Sequence, residues 1–242
     1  MCSSLISRYI SSGWLESPAR GVYLRKGGRL QWEGVVRTLQ FAEQLSLHVG
    51  GRFALVLHGH EHYLRLGEAA SISLYGPDRL PGWVGKLPLT ERFELCGRGP
   101  FDFPALQFEI DTPDQVLLDQ GLQRLQITVG LVPILASSPE RAMLELCDAL
   151  TDAALVYELD ALMQGMTTLR LQRVSMLLRH CRSIKAKRLF LALADRHRHA
   201  WLEHVSLAQV DLGSGKRSLV PGRRLHPVYQ ITLPGDLDEQ TR

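Results

Sequence analysis

A helix start is written at Ser138-Pro139-Glu140, and it constrains the fold more than any other feature of the chain. Serine offers an N-cap acceptor, and a proline at the first helical position has no N–H to leave unsatisfied. Ser137 and Glu140 also fit an S-x-x-E capping box. From there the apolar spacing stays helical to about residue 196. Helices are expected over about 139–150, 153–163 with Asp152 as cap, 168–180 after Gly165, and 182–196.

The flanking segments read differently. Residues 3–12 form a short polar helix that Gly13 ends, with Leu5, Ile6 and Tyr9 facing inward. Trp14-Leu15, a turn through Ser17-Pro18-Ala19-Arg20-Gly21, and Val22 to Lys26 read as strand, turn, strand. Helix is expected over about 33–46 and again over 52–59 with 62–64. Strands are expected at 71–75, 90–95, 106–110 and 122–129. Beyond the helical half, 205–212 and 216–220 flank Gly213-Ser214-Gly215 as a hairpin, and 228–232 is a last strand. Residues 235–242 form a loose polar tail. The fold class is α+β.

With 45% hydrophobic and 22% charged residues, the chain has a globular composition, and no apolar run approaches a membrane span. The start has neither the basic patch nor the apolar run of a signal peptide. Cys2, Cys96, Cys147 and Cys181 lie far apart and form no C-x-x-C pair, so reduced thiols in a cytoplasm are expected. The net charge of +3 conceals a segregation. Residues 1–90 hold 10 basic and 6 acidic groups, 91–163 hold 4 and 13, and 164–242 hold 14 and 6. Two basic ends around an acidic middle can pair with each other or face a polyanion.

Three strings invite specific chemistry. His58-x-His60-x-His62 would share one face of a strand and bind zinc, but the run before it is helical. Half-buried or surface histidines are the expected reading, and no metal or cofactor is assigned. Gly213-Ser214-Gly215-Lys216-Arg217-Ser218 resembles the end of a phosphate loop but lacks the earlier glycine and the following helix. The hairpin reading still displays Lys216 and Arg217. Arg182, Lys185, Lys187 and Arg188 are either a solvated helix face with snorkelling stems or a polyanion patch, with Arg170, Arg173 and Arg179 on the helix before. Nothing nominates a catalytic nucleophile.

The helix followed by a basic hairpin looks like the recognition helix and wing of a winged helix-turn-helix. Longer strings, in order, are SRYISSGWL, GVYLRKG, HVGGRFAL, HYL, SSPERAMLELCD, CRSIKAKRLFLALADRH, DLGSGKR and YQITLP. Together they resemble the AbiEi antitoxin family of type IV toxin–antitoxin, or abortive-infection, systems, across nearly the whole chain.

The resemblance implies a partial winged helix-turn-helix over residues 1–30 and a mixed α/β antitoxin domain over 31–242. It implies repression of the chain's own operon through inverted repeats, and action against a nucleotidyltransferase toxin without a required stable complex. Ser4, Ser7, Arg8 and Ser11 would lie on the exposed face of the recognition helix, with Leu5, Tyr9 and Trp14 as its packing side. Arg20, Arg25 and Lys26 would be the wing's phosphate contacts. Arg182, Lys185, Lys187, Arg188, Lys216 and Arg217 would form the basic antitoxin surface. Family members carry roughly 30 further residues ahead of the recognition helix, so weak or absent operator binding is expected of this chain. A stand-alone winged-helix regulator and a nucleic-acid-processing enzyme are the rival readings.

Overall fold

A computed structural model describes residues 2–60, 71–106, 109–128, 131–218, 223–235 and 237. Helix α1 (Cys2–Ser11) leads into a hairpin of β1 (Leu15–Ala19) and β2 (Val22–Arg25). Helix α2 (Trp32–Arg37) continues into a wider π-type turn over Thr38–Ala42, so the expected helix stops short of residue 46. Next come β3 (His48–Val49), α3 (Gly51–Leu57), β4 (Ser71–Tyr75), β5 (Arg92–Leu95), α4 (Asp114–Leu118), β6 (Leu122–Leu125) and β7 (Ile134–Ser137). The helical half is α5 (Pro139–Ala149), α6 (Ala153–Gln164), α7 (Leu171–His180) and α8 (Ile184–Arg196). A small ladder of β8 (Arg223–Leu225) and β9 (Thr232–Pro234) follows.

The main sheet has strand order β5-β4-β3-β7-β6 and mixes directions. β4 and β5 run parallel, as do β3 and β7, while β3–β4 and β6–β7 are antiparallel. All four residues of β7 are buried. Ile134 and Ala136 join the large core, and Leu135 packs on the other side with Leu117 and Leu122. A strand covered on both faces shows no polar alternation, which is why its sequence carries no period-two signal. β3 is two residues long, below the reach of any pattern.

Ser138 caps α5 by accepting from the Arg141 N–H, and Asp152 caps α6 by accepting from the Leu155 N–H at 3.0 Å. Ser137 does not complete a capping box. Its hydroxyl donates to the Glu145 carboxylate at 2.9 Å. That carboxylate is enclosed and gathers three further donors: His48 Nε2 at 3.1 Å, the Gly51 N–H at 2.9 Å and Arg141 Nε at 2.9 Å. Burial alone would raise the carboxyl, but the His48 and Arg141 contacts hold it below its ordinary value. Burial and the Arg141 charge lower His48. Glutamate, guanidinium and neutral imidazole thus close into one buried network.

Two expected strands are absent. Residues 205–212 hold only a 3₁₀ turn over Leu207–Gln209, following another over Ala200–His204, because Val205 and Val210, like Trp201 before them, are each anchored in the core. The segment after Gly213 bridges only at Arg217–Ile231, and in parallel sense, so no hairpin forms among the described residues. The 122–129 strand stops at Leu125, and Ile110 sits in a turn. Residues 62–64, 107–108, 219–220 and most of the polar tail lie outside the described residues.

Replacing Glu145 by alanine should cost about 3–5 kcal/mol in chemical denaturation, because Arg141 stays buried and unpaired. Gly50→Ala should also destabilise, since a Cβ there would collide with the Glu145 carboxylate and the Tyr75 ring. His48 must take up a proton below its ordinary value of about 6.5. This contribution should therefore be constant just above neutral pH, and stability should fall as pH drops through 6.5. A second loss should follow once Glu145 protonates. A melting temperature independent of pH from 7 to 5 would contradict this.

Candidate nucleic-acid interface

Helix α1 has no acidic residue in its first turn and carries Arg8 in its last. It closes with a Schellman arrangement: the Trp14 N–H donates to the Tyr9 carbonyl and the Gly13 N–H to that of Ile10. Gly13 takes φ +72° to make that turn. The motif fixes the direction in which the chain leaves the helix, and so aims the hairpin.

In the hairpin, Leu15 pairs with Arg25, Glu16 with Leu24 and Ala19 with Val22. The register shifts at Ser17-Pro18, where proline could not have donated to the ladder. Gly21 closes the tip at φ +86°. The Lys26 N–H donates to the Trp14 carbonyl at 3.0 Å, and its ammonium reaches back to Gly13 at the end of α1. There it meets the negative end of the helix dipole. Arg8, Arg25 and Lys26 stand near this junction, while Arg20 is at the tip, about 13 Å away along the strands. All four are exposed, as are Ser7 and Ser11. The Ser11 hydroxyl is turned back onto the Arg8 carbonyl at 2.9 Å. Ser4 lies on the same helix, but its side chain is outside the described set.

The apolar residues of this unit depart from expectation. Leu5, Tyr9 and Trp14 are 49%, 44% and 72% exposed, so they are not a packed side of the helix among the described residues. Among the described residues, α1 packs chiefly on β1 of the ribbon.

The C-terminal basic string divides. Lys187 and Arg188 are 3% exposed and are therefore not surface residues. Arg188 Nε donates to the Leu212 carbonyl at 2.7 Å, and Nη1 donates to those of Gly215 at 2.6 Å and Gln230 at 3.2 Å. This guanidinium holds the 212–215 loop in place. Lys185 is half-buried, with Nζ on the Leu150 carbonyl at 3.2 Å. Arg182, Lys216 and Arg217 remain exposed. Lys216 and Arg217 therefore ride on a loop that Arg188 positions, a role the sequence did not suggest. The signal was available: Leu189-Phe190-Leu191-Ala192-Leu193-Ala194 has no polar side, and a helix apolar all round is enclosed.

No group of three potential metal ligands occurs among the described residues, and no described helix is long and apolar enough to cross a membrane. His62 lies outside the described set. His58 Nε2 is 3.0 Å from the Ser137 carbonyl, so it is anchored to the sheet.

A search of curated proteins finds no match. Among solved structures, the RV2827C protein from Mycobacterium tuberculosis is similar in fold, with a TM-score of 0.58 at 18% identity. The match covers 99% of this chain and 82% of that one. Two family models divide the sequence between them. One, for a transcriptional regulator described as the AbiEi antitoxin N-terminal domain, matches residues 1–66. The other, described as the AbiEi antitoxin transcriptional regulator of a type IV toxin–antitoxin system, matches residues 69–234. With nearly its whole length matched, the chain belongs to the AbiEi family of antitoxin transcriptional regulators of type IV toxin–antitoxin systems.

Proposed function

We propose that this chain is a cytoplasmic antitoxin that counteracts a nucleotidyltransferase toxin and represses its own operon. The observation that carries the DNA half is the exposed cationic set Arg8, Arg20, Arg25 and Lys26 on a helix–hairpin unit with a locked junction. In this reading α1 meets the major groove of an inverted repeat, Ser7 and Ser11 face the DNA, and the hairpin cations meet phosphates. Four phosphate contacts correspond to a salt slope of about −3.6. Affinity is therefore modest and falls on the order of 10²-fold between 50 and 200 mM salt. The antitoxin half rests on family membership and on Arg182, Lys185, Lys216 and Arg217 as the basic surface of the C-terminal domain. No enzymatic step is assigned.

Fluorescence anisotropy with a duplex from the chain's own promoter tests the first half. Arg25→Ala with Lys26→Ala should flatten the salt slope by about 2 and weaken binding to any sequence alike. An unchanged slope would remove the hairpin from the interface.

Growth rescue tests the second half, with the neighbouring nucleotidyltransferase gene co-expressed. Lys216→Glu with Arg217→Glu should reduce rescue while the melting temperature holds, because both side chains are exposed. Full rescue by the folded double variant would take this loop out of neutralisation. If rescue is absent even for the unaltered chain while promoter binding persists, the stand-alone regulator takes its place.

A further inference from the structure

The described histidines of the His58-x-His60 string, which on sequence alone invites a metal reading, open onto a cleft with a different chemistry. His58 and His60 follow α3 and form one wall of a cleft of about 230 Å³. Gln123 of β6 and the starts of α5 and α7 form the rest, bringing in Glu140, Arg170 and Arg173. At that volume the cleft is smaller than the roughly 300–1,000 Å³ of pockets that enclose a drug-sized ligand. It suits one compact group.

The charges decide which group. Among the described residues, Glu140 is the one carboxylate in the lining, and both its oxygens are occupied. Oε1 accepts from the Arg170 N–H at 2.9 Å, and Oε2 accepts from Arg173 Nη1 at 3.3 Å. Arg173 is 8% exposed, and among the described residues Glu140 alone bonds its guanidinium, through Nη1. The Arg170 side chain is exposed. Two guanidiniums against one carboxylate leave an excess positive charge before either imidazole takes a proton. The first turns of α5 and α7, helices of 11 and 10 residues, add their positive ends at the same place. Among the described residues a metal cation would meet two guanidiniums and no free carboxylate. An anion meets donors on three sides.

We propose that this cleft is a binding site for a phosphate monoester or inorganic phosphate. Arg170 and Arg173 hold the anion, with His58 and His60 sharing the load as they protonate. The dianion matches one net positive charge plus a recruited proton better than a diester does. His58 Nε2–H donates to the Ser137 carbonyl at 3.0 Å, and Nδ1 accepts from Gln123 Nε2 at 3.3 Å, which keeps the ring aimed along the cleft wall. Burial lowers both histidines from their ordinary value, so they stay neutral at pH 7 without a ligand. A bound anion raises them again, so binding takes up protons. Among the described residues, the groups facing the two rings are Glu140 from α5 and Arg170 and Arg173 at the start of α7, with Gln123 neutral. The site is separate from the helix–hairpin cations and does not depend on the DNA reading.

Isothermal titration of the full chain at constant ionic strength tests the proposal, with inorganic phosphate, a nucleoside monophosphate and diethyl phosphate as probes. Saturable binding of the first two, and weaker binding of the diester, is expected. Sulfate does not titrate between pH 8 and 6, so tighter sulfate binding at pH 6 reports the histidines alone. Arg170→Ala removes an exposed side chain and leaves the Glu140–Arg173 pair intact. It should weaken phosphate binding about tenfold or more with no change in melting temperature. The proposal is overturned by equal affinity in Arg170→Ala, by no saturation with inorganic phosphate, the nucleoside monophosphate or a 5′-phosphorylated oligonucleotide up to about 10 mM, or by sulfate binding that ignores pH. If free phosphate fails and only nucleic acid with a 5′-phosphate binds in an Arg170-dependent way, the monoester is a chain end. Arg170-dependent binding of the diester alone would replace the monoester with a phosphodiester backbone.

Discussion

The buried Glu145 carboxylate is the contact on which the rest of the body depends. It receives donors from β3, from the first turn of α3, from β7 and from α5 itself. Removing a carboxylate and a guanidinium from water is expensive, and such a pair adds little net stability compared with a well-packed apolar substitute. What it supplies is a unique arrangement. A two-residue strand such as β3 cannot fix its own register by hydrophobic pattern, and the His48–Glu145 contact fixes it instead. Arg141 extends the network, with Nη1 on the Gln120 carbonyl and the guanidinium over the Phe101 and Phe103 rings.

Once β3 and β7 are pinned to α5, the positions of other groups follow. Ser137, at the end of β7, gives its hydroxyl to Glu145 and its carbonyl to His58. The hub and the cleft beside it are thus tied through a single residue. Arg188 does similar work at the far side, where three backbone carbonyls close around one guanidinium. The helix–hairpin unit is built differently. It relies on a Schellman turn and a short ladder, with Leu5, Tyr9, Ile10, Trp14 and Tyr23 exposed. The body is a large apolar core whose arrangement buried charge fixes, and the unit that carries the nucleic-acid reading is held by local backbone chemistry.

Local chemistry is what the sequence makes legible. Gly13 and Gly21 mark the helix end and hairpin tip because only a residue without Cβ takes those φ values without strain. Ser138-Pro139 and Asp152 mark two helix starts through hydrogen bonds that span three residues. The extents of α5 and α6 were readable for the same reason. β7 was not, because four residues buried on both faces leave no alternation. The 205–212 strand was misread because alternating apolar residues also arise when a 3₁₀-rich segment drops single anchors into a core.

The sequence by itself determined the α+β class, the capped helices, the helix–hairpin at the start and the family. All of these rest on interactions within a few residues or on strings long enough to be specific. Only the tertiary structure decided which charges face water. Lys187 and Arg188 sit in the same basic string as Arg182 and Lys185, yet α8 is enclosed and its cations are spent on the interior. His58, His60, Arg170 and Arg173 are separated by more than a hundred positions and meet only because β6, α5 and α7 converge there. The exposure of a charged side chain is set by what packs around its helix. That is a sum over distant segments, and no local spacing records it.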